Sequence, residues 1–334
     1  MNKNKKILVG IVVSLIMLVA IGLLLINSNN PTGAVVYELK EVSLAINTFP
    51  NSALVHIAQE KGYFTEQGLK VNYHAFATGK LALDALIGGG ADIATTADVP
   101  ITLAALADQK ISVVATIEYS NDNVKVVARK DSGINKPSDL SGKKIATTKG
   151  GGPMFYTDKF IEKYKIKDAK IVYLTPADMV TSLIKGDIDA FIVFEPSPSI
   201  AINQLGNDKV TVFSDSDIYG ETWNIVVMQE NKDSDTITKF IKALVKAERY
   251  YKGNPEDSIK IVSDYSGVDI ETTKEMLQKQ TIGVVLNNVL TDYLQQEADW
   301  AIKQGLSTGV NIPNFDKFIN TEYLNEINPK VVKI

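Results

Sequence analysis

Residues 86–100 read LIGGGADIATTADVP, and residues 183–196 read LIKGDIDAFIVFEP. Both run Leu-Ile-x-Gly-x-x-Asp, then an apolar stretch of strand character, then a Pro suited to the first turn of a helix. Each copy therefore reads as a helix end, a Gly free to take the left-handed conformation, a buried strand and a new helix start. Polar groups close both strands: Thr95, Thr96 and Asp98 in the first copy, Glu195 in the second. Open α/β sheets bind ligands at the carboxyl ends of their strands. Two such units predict two similar lobes, each presenting polar groups to a shared cleft.

The flanking segments keep the same βα rhythm. VSLAI (42–46) predicts a strand, the loop NTFPNS (47–52) follows, and an amphipathic helix is expected over 53–61. LKVNYHAF (69–76) predicts the next strand, and Gly79 opens the helix that ends in the first copy. ISVVATIE (111–118) and VKVVARK (124–130) predict strands, after which KDSGINKPSDLSGKK (130–144) breaks the rhythm with turn residues. KIATT, the helix GGGPMFYTDKFIEKY, the strand AKIVYL and a helix over 176–185 lead into the second copy. WNIVVMQE (223–230) is a further strand. The tail beyond it is mostly helical, with 3.6-residue periodicity in ITKFIKALVKAERYY and DYLQQEADWAIKQ. This alternation predicts a mostly parallel sheet in each lobe. For the tail to pack, the chain returns through WNIVVMQE to the first lobe. Lobe 1 is then expected over 40–127 and 225–334 and lobe 2 over 128–224, joined by two hinge crossings.

With 334 residues, 45% of them hydrophobic, the chain is large enough for two cores. Residues 7–26 carry no charge, and as a helix they would span roughly 30 Å, the hydrocarbon thickness of a bilayer. Lys3, Lys5 and Lys6 precede them, so residues 1–6 are expected to stay cytoplasmic and the rest to lie outside. An uncleaved anchor is the expectation. A cleaved signal peptide competes with it, weakened by the length of the run and by the poor cut site at Gly33-Ala34. Residues 27–39 serve as a polar linker.

The sequence contains no cysteine. That excludes disulfides, thiol catalysis, Cys-ligated metal and a lipid-modified Cys. The formal net charge is −4, and Arg129 and Arg249 are the only arginines. Neither a nucleic-acid-binding surface nor a clamp of several arginines fits this composition. His56 and His74 lack metal-ligand spacing, and no nucleophile elbow or phosphate loop is present. No cofactor is expected.

KPSDLSGKKIATTKGGGP (136–153) resembles a run found in solute-binding proteins of ABC importers, in the family that binds nitrate, alkanesulfonates, taurine or thiamine-pyrimidine precursors. IAQEKGYFTEQGLKV (57–71), ALIGGGADIA, GDIDAFIVFEP and FDKFINTEYL (315–324) agree with it in the same order. The resemblance covers nearly all of residues 40–325. It implies a bilobal periplasmic-binding-protein fold of type II, no catalysis, and permease and ATPase subunits as partners of a small-molecule solute receptor. It leaves the solute open.

Gly150, Gly151 and Gly152, after Lys149 and before Pro153, lead into a helix. Successive glycine amides and a helix start together favour an anion, although a plain tight turn has the same composition. Asn47, Thr48, Asn51 and Ser52 form the loop after the first strand, with Ser52 also suited to capping the next helix. Thr78, Gly79, Thr95, Thr96, Glu118, Tyr119 and Asn121 fall at the ends of the following strands. Glu195, which ends an apolar strand, is expected either at the cleft mouth or as an acid favoured at a helix start. Tyr219 and Trp223 either cover the solute or pack the hinge. The carboxylate pairs Asp187/Asp189 and Asp215/Asp217 read as solvated turns. A receptor for a small anion or zwitterion is the leading expectation, delivered from the extracytoplasmic side of the cell membrane. The alternative is an enzyme reusing the scaffold for pyrimidine or menaquinone precursors. The export segment and the absence of cysteine weigh against it.

Overall fold

The computed structural model describes residues 38–231, 233–307, 309 and 311–334. The expected membrane span over 7–26, the tail before it and most of the linker lie outside the described residues. Among those described, no helix is long and apolar enough to cross a membrane. The strands are β1 (Lys40–Ile46), β2 (Leu69–Ala75), β3 (Ile93–Ala97), β4 (Ile111–Ser120), β5 (Val124–Arg129), β6 (Lys144–Thr147), β7 (Lys170–Tyr173), β8 (Ala190–Phe194), β9 (Val210–Phe213), β10 (Glu221–Met228), β11 (Thr281–Asn287) and β12 (Val332–Lys333). They form a seven-stranded sheet, β12-β11-β4-β10-β3-β1-β2, and a five-stranded sheet, β7-β6-β8-β5-β9.

Both copies of the repeat end on the same construction. Gly89 and Gly186 occupy the equivalent position, and both take the left-handed conformation, φ +76° and +79°. Only a residue without Cβ adopts this readily, and it lets the helix stop and the chain turn into the strand. The repeat's Asp then pins the new strand to its neighbour. Asp92 accepts from the Ser43 amide of β1 at 2.7 Å and Asp189 from the Lys144 amide of β6 at 2.8 Å. Ser132 also donates to Asp189, so that carboxylate is structural rather than the solvated turn residue expected.

The sheets are mixed, not mostly parallel. β1 pairs in parallel with β2 and β3, and β6 with β7 and β8, as the βα rhythm requires. β10 runs antiparallel between β3 and β4, and β5 antiparallel between β8 and β9. Each of these two strands enters its sheet directly from a crossing, at the carboxyl ends of its neighbours, and so must run against them. β5 pairs throughout in the small sheet and β10 throughout in the large one. The crossings therefore fall at residues 121–123 and 214–220, and the expected limits after 127 and 224 lie inside strands. The mostly helical tail also contributes a strand, β11, antiparallel to β4.

β3 and β4 are buried on both faces, as strands covered by helices on each side must be. The helix Gly152–Tyr164 of the smaller lobe packs Phe155 edge-on against Trp300, ring centres 5.2 Å apart. Trp300 lies on the helix Asn288–Lys303, and its indole N–H donates to Asp158 at 2.9 Å. The two lobes are thus held together through this pair of helices.

Candidate functional site

Between the sheets lies a narrow cleft, with about 40 Å³ of space that the centre of a water molecule can reach and about 450 Å³ once its open, solvent-filled mouth is included. One wall comes from the loops after β1 and β2 and the end of β3: Asn47, Asn51, Thr78, Gly79, Lys80, Ala97 and Pro100. The opposite wall is the turn after β6, with Thr148, Lys149, Gly151, Gly152 and Pro153, and Phe194 at the end of β8. Glu221 and Trp223 of β10 join the two walls. Ala97 and Phe194 are equivalent positions of the two repeat copies, so the duplication itself frames the cavity.

The walls are fixed by local bonding. Asn47 Nδ2 donates to the carbonyls of Phe76 and Ala77, tying the first loop to the second. Ser52 does not cap the helix Ala53–Glu60. Its hydroxyl donates to the Asn47 carbonyl at 2.7 Å and accepts from the Trp223 indole N–H at 3.0 Å, so Trp223 is held flat by the first loop. Gly79 is required there, since a Cβ would come within 2.7 Å of the Trp223 ring. Thr78 caps the helix Gly79–Ile87 through the Leu81 amide. Across the cavity, Gly151 is the cap residue of the helix Gly152–Tyr164 and Pro153 follows at its second position. The first amides of a helix have no partner within it, so Gly151 and Gly152 can bind an anion. A Cβ on Gly152 would lie 2.5–2.8 Å from the Tyr219 ring and hydroxyl.

Two kinds of polar group meet in this space. One end is lined by the glycine turn with Lys149 and Lys80, the Lys80 ammonium pairing with Asp84 at 2.5 Å. The other end is carboxylic. Glu221 is buried, and Asn123 Nδ2 donates to its Oε1 at 2.7 Å. Burial, then the charge of Asp98, pushes the Glu221 carboxyl up to about 8, so it holds a proton at neutral pH. Glu118 lies on the same face of the β4–β10 ladder, where Glu221 faces Ser120 and Trp223 faces Glu118. Both Glu118 oxygens are buried without a partner among the described residues. Burial first, then Glu221 and Asp98, raises its carboxyl well above the usual range. Asp98 accepts from Tyr219 Oη at 2.5 Å, from the Thr222 amide and hydroxyl and from the Val99 amide. Burial nonetheless raises it, as it does Glu297, which takes a hydrogen bond from Thr102 at 2.6 Å. Among the described residues, no group of acids and histidines is arranged to hold a metal.

A family model described as NMT1/THI5 like matches residues 49–258. The chain belongs to that family. Among NMT1/THI5-like relatives, the taurine-binding periplasmic protein of Escherichia coli is 25% identical over 237 residues, covering 66% of this chain and 70% of that protein. The alkanesulfonate-binding protein SsuA of Xanthomonas axonopodis, solved with MOPS bound, superposes with a TM-score of 0.73 at 18% identity, over 85% of this chain and 99% of that one. The periplasmic nitrate-binding protein NrtA of Synechocystis gives 0.71 at 16% identity, over 86% and 88%. The fold is therefore the bilobal periplasmic-binding-protein α/β fold, with mixed sheets.

Within this NMT1/THI5-like scaffold, Asn47, Asn51, Thr78, Gly79, Lys149, Gly151, Gly152 and Trp223 line the cavity. Ser52, Thr95, Thr96, Gly150 and Tyr219 stand directly behind the walls. Gly150, φ +73°, makes the turn, and Thr95 accepts from the Asn47 amide. Thr48 turns its carbonyl to His56, Tyr119 pairs with the Tyr293 hydroxyl, and Asn121 is exposed on the first crossing. Glu195 does not face the cavity. It pairs with Lys125 at 2.7 Å and accepts from the Ser199 amide, the role of an acid at a helix start. Its neighbour Phe194 takes the wall position. Glu221, Lys80 and Phe194 were missed. Glu221 precedes Trp223 by two on one strand, a spacing that puts both on the same face.

Proposed function

We propose that this chain is the extracytoplasmic receptor of an ABC importer. It captures a small sulfonate-class solute as its two lobes close, and passes it unchanged to permease and ATPase subunits. The observation that carries this reading is the cavity at the carboxyl ends of strands from both sheets, faced on one side by a glycine-rich helix start. Closure about two crossings is a known way to enclose such a ligand. The names of the taurine-binding and alkanesulfonate-binding relatives support the solute class. An enzyme on the same scaffold is the lesser reading, since the cavity offers no activated nucleophile among its lining residues. Residues 7–26 hold the receptor to the membrane as a single-pass anchor, with residues 27–39 as the tether. A mature N-terminus near Gly33 or Ala34 would overturn the anchor.

The test is calorimetry and thermal unfolding of the purified full chain with nitrate, ethanesulfonate, taurine and an aminopyrimidine, followed by mass spectrometry of the solute. Stoichiometric binding of a sulfonate, recovered intact, and a raised melting temperature support a receptor. Turnover of the solute, or no binding across the panel, contradicts it.

A further inference from the structure

The lobes touch across the cleft in this structure. Phe49 in the loop after β1 and Phe194 at the end of β8 have ring centres 6.2 Å apart. A Cβ on Gly150, in the turn after β6, would come within 2.9 Å of the Lys80 side chain. The arrangement is a closed one, and something has to hold it while still letting it open.

The first crossing spans only residues 121–123, between β4 and β5, yet its side chains reach both ends of the second. Asn123 Nδ2 donates to Glu221, which opens β10, at 2.7 Å. Asp122 Oδ1 accepts from the hydroxyl of Ser214, the residue directly after β9. Its other oxygen, Oδ2, accepts from the Lys279 ammonium at 2.9 Å. Lys279 follows the helix Ile270–Gln278 of the larger lobe. One carboxylate is therefore bonded at once to the chain leaving the small sheet and to a helix end of the large lobe. The neighbouring ammonium, Lys125, is committed to Glu195 within the smaller lobe. The Asp122 side chain is 26% exposed and that of Lys279 52%, so water screens the pair and it can break and re-form.

When the lobes rotate about the crossings, Ser214 moves with the small sheet and Lys279 with the large one. Their separation changes, and a side chain as short as Asp cannot follow both. We propose that Asp122 is a positioning residue for lobe closure, clamping the closed arrangement until it lets go of Lys279 or Ser214. This rests on the closure in the receptor reading and adds the group that sets how long the closed state lasts.

The sequence contains no cysteine, so Leu81→Cys on the larger lobe and Tyr173→Cys on the smaller, both exposed, give two dye positions. Single-molecule energy transfer on the full chain then reports open and closed lifetimes, without solute and with taurine. Asp122→Asn keeps an oxygen for Ser214 and removes the charge that Lys279 meets. Lys279→Met removes the same bond from the other side. Each is expected to shorten the closed lifetime about two- to fivefold, the size of one partly exposed ion pair, and to leave the open lifetime unchanged. The double variant should do no more than either alone, because the two residues share one bond. Added salt should shorten the wild-type closed lifetime toward that of the variants and affect theirs less. A general loss of stability would produce neither the split between lifetimes nor the salt pattern. Closed lifetimes equal to wild type in both variants, or additive effects in the double variant, overturn the clamp. So does the absence of a closed state under both conditions. If taurine fails to bind, the receptor reading fails for that solute, and the solute-free lifetimes still decide the clamp.

Discussion

Glu221→Gln is expected to stabilise the ligand-free protein at neutral pH and to change it little at pH 5. The acid is buried on β10, and its carboxyl is pushed from the ordinary 4.5 up to about 8 by burial and by Asp98. In the unfolded chain the same group ionises near 4.5. Between these values the folded state binds more protons than the unfolded one, so stability falls as pH rises from about 4.5 to about 8 and levels off above. Each pH step of one across that window costs about 1.4 kcal/mol, which makes the penalty about 3 kcal/mol at pH 7 and about 1 kcal/mol at pH 5. Gln keeps the oxygen that accepts from Asn123 and never ionises, so the penalty disappears. At about 2–4 °C per kcal/mol for domains of 150–250 residues, the variant should melt about 6–12 °C higher at pH 7. Thermal unfolding of both proteins by circular dichroism from pH 5 to pH 8.5 measures this. If the variant melts at or below the wild type at pH 7, or the gap does not widen with pH, Glu221 is not a proton-holding buried acid.

Gly152→Ala puts a methyl group within 2.5–2.8 Å of Tyr219 at the helix start that faces the cavity. It should cost about 1–3 kcal/mol of stability through overpacking, and calorimetry should show at least a tenfold loss of solute affinity; unchanged affinity would place the solute elsewhere. Lys125→Gln leaves the buried Glu195 carboxylate without its partner. It should cost about 3 kcal/mol in denaturant unfolding, whereas Glu195→Gln should leave solute affinity within about threefold, since Glu195 faces away from the cavity. A large affinity loss in Glu195→Gln would return that residue to the site.

The parts of this fold that could be read in the sequence are those built on local chemistry. Gly89 and Gly186 sit where a helix must stop, and the apolar runs between them and Pro100 or Pro196 are buried strands for that reason. The glycine-rich turn at 150–152 is legible in the same way, because a helix start with free amides has a composition of its own. What could not be read depends on who sits beside whom. The direction of β5 and β10 follows from entering a sheet at the hinge, and no periodicity within either strand records it. β11, with its alternating burial, is a short run between two strong helical patterns. Asp98 and Glu195 occupy equivalent repeat positions, yet one meets Tyr219 and Thr222 and the other meets Lys125. Only tertiary contact separates them. The acid that does line the cavity, Glu221, opens β10 just after the second crossing, outside both copies.

The central claim is that the solute lies against β10 between the two sheets. Trp223 and Trp300 are the only tryptophans; Trp223 lines the cavity, and Trp300, which does not, packs against Phe155. Trp300→Phe therefore leaves a single reporter in the site. Titrating this variant with taurine should shift the Trp223 emission saturably, with the same dissociation constant that calorimetry gives. Calorimetric binding with no change at Trp223 would put the solute outside this cavity and contradict the account.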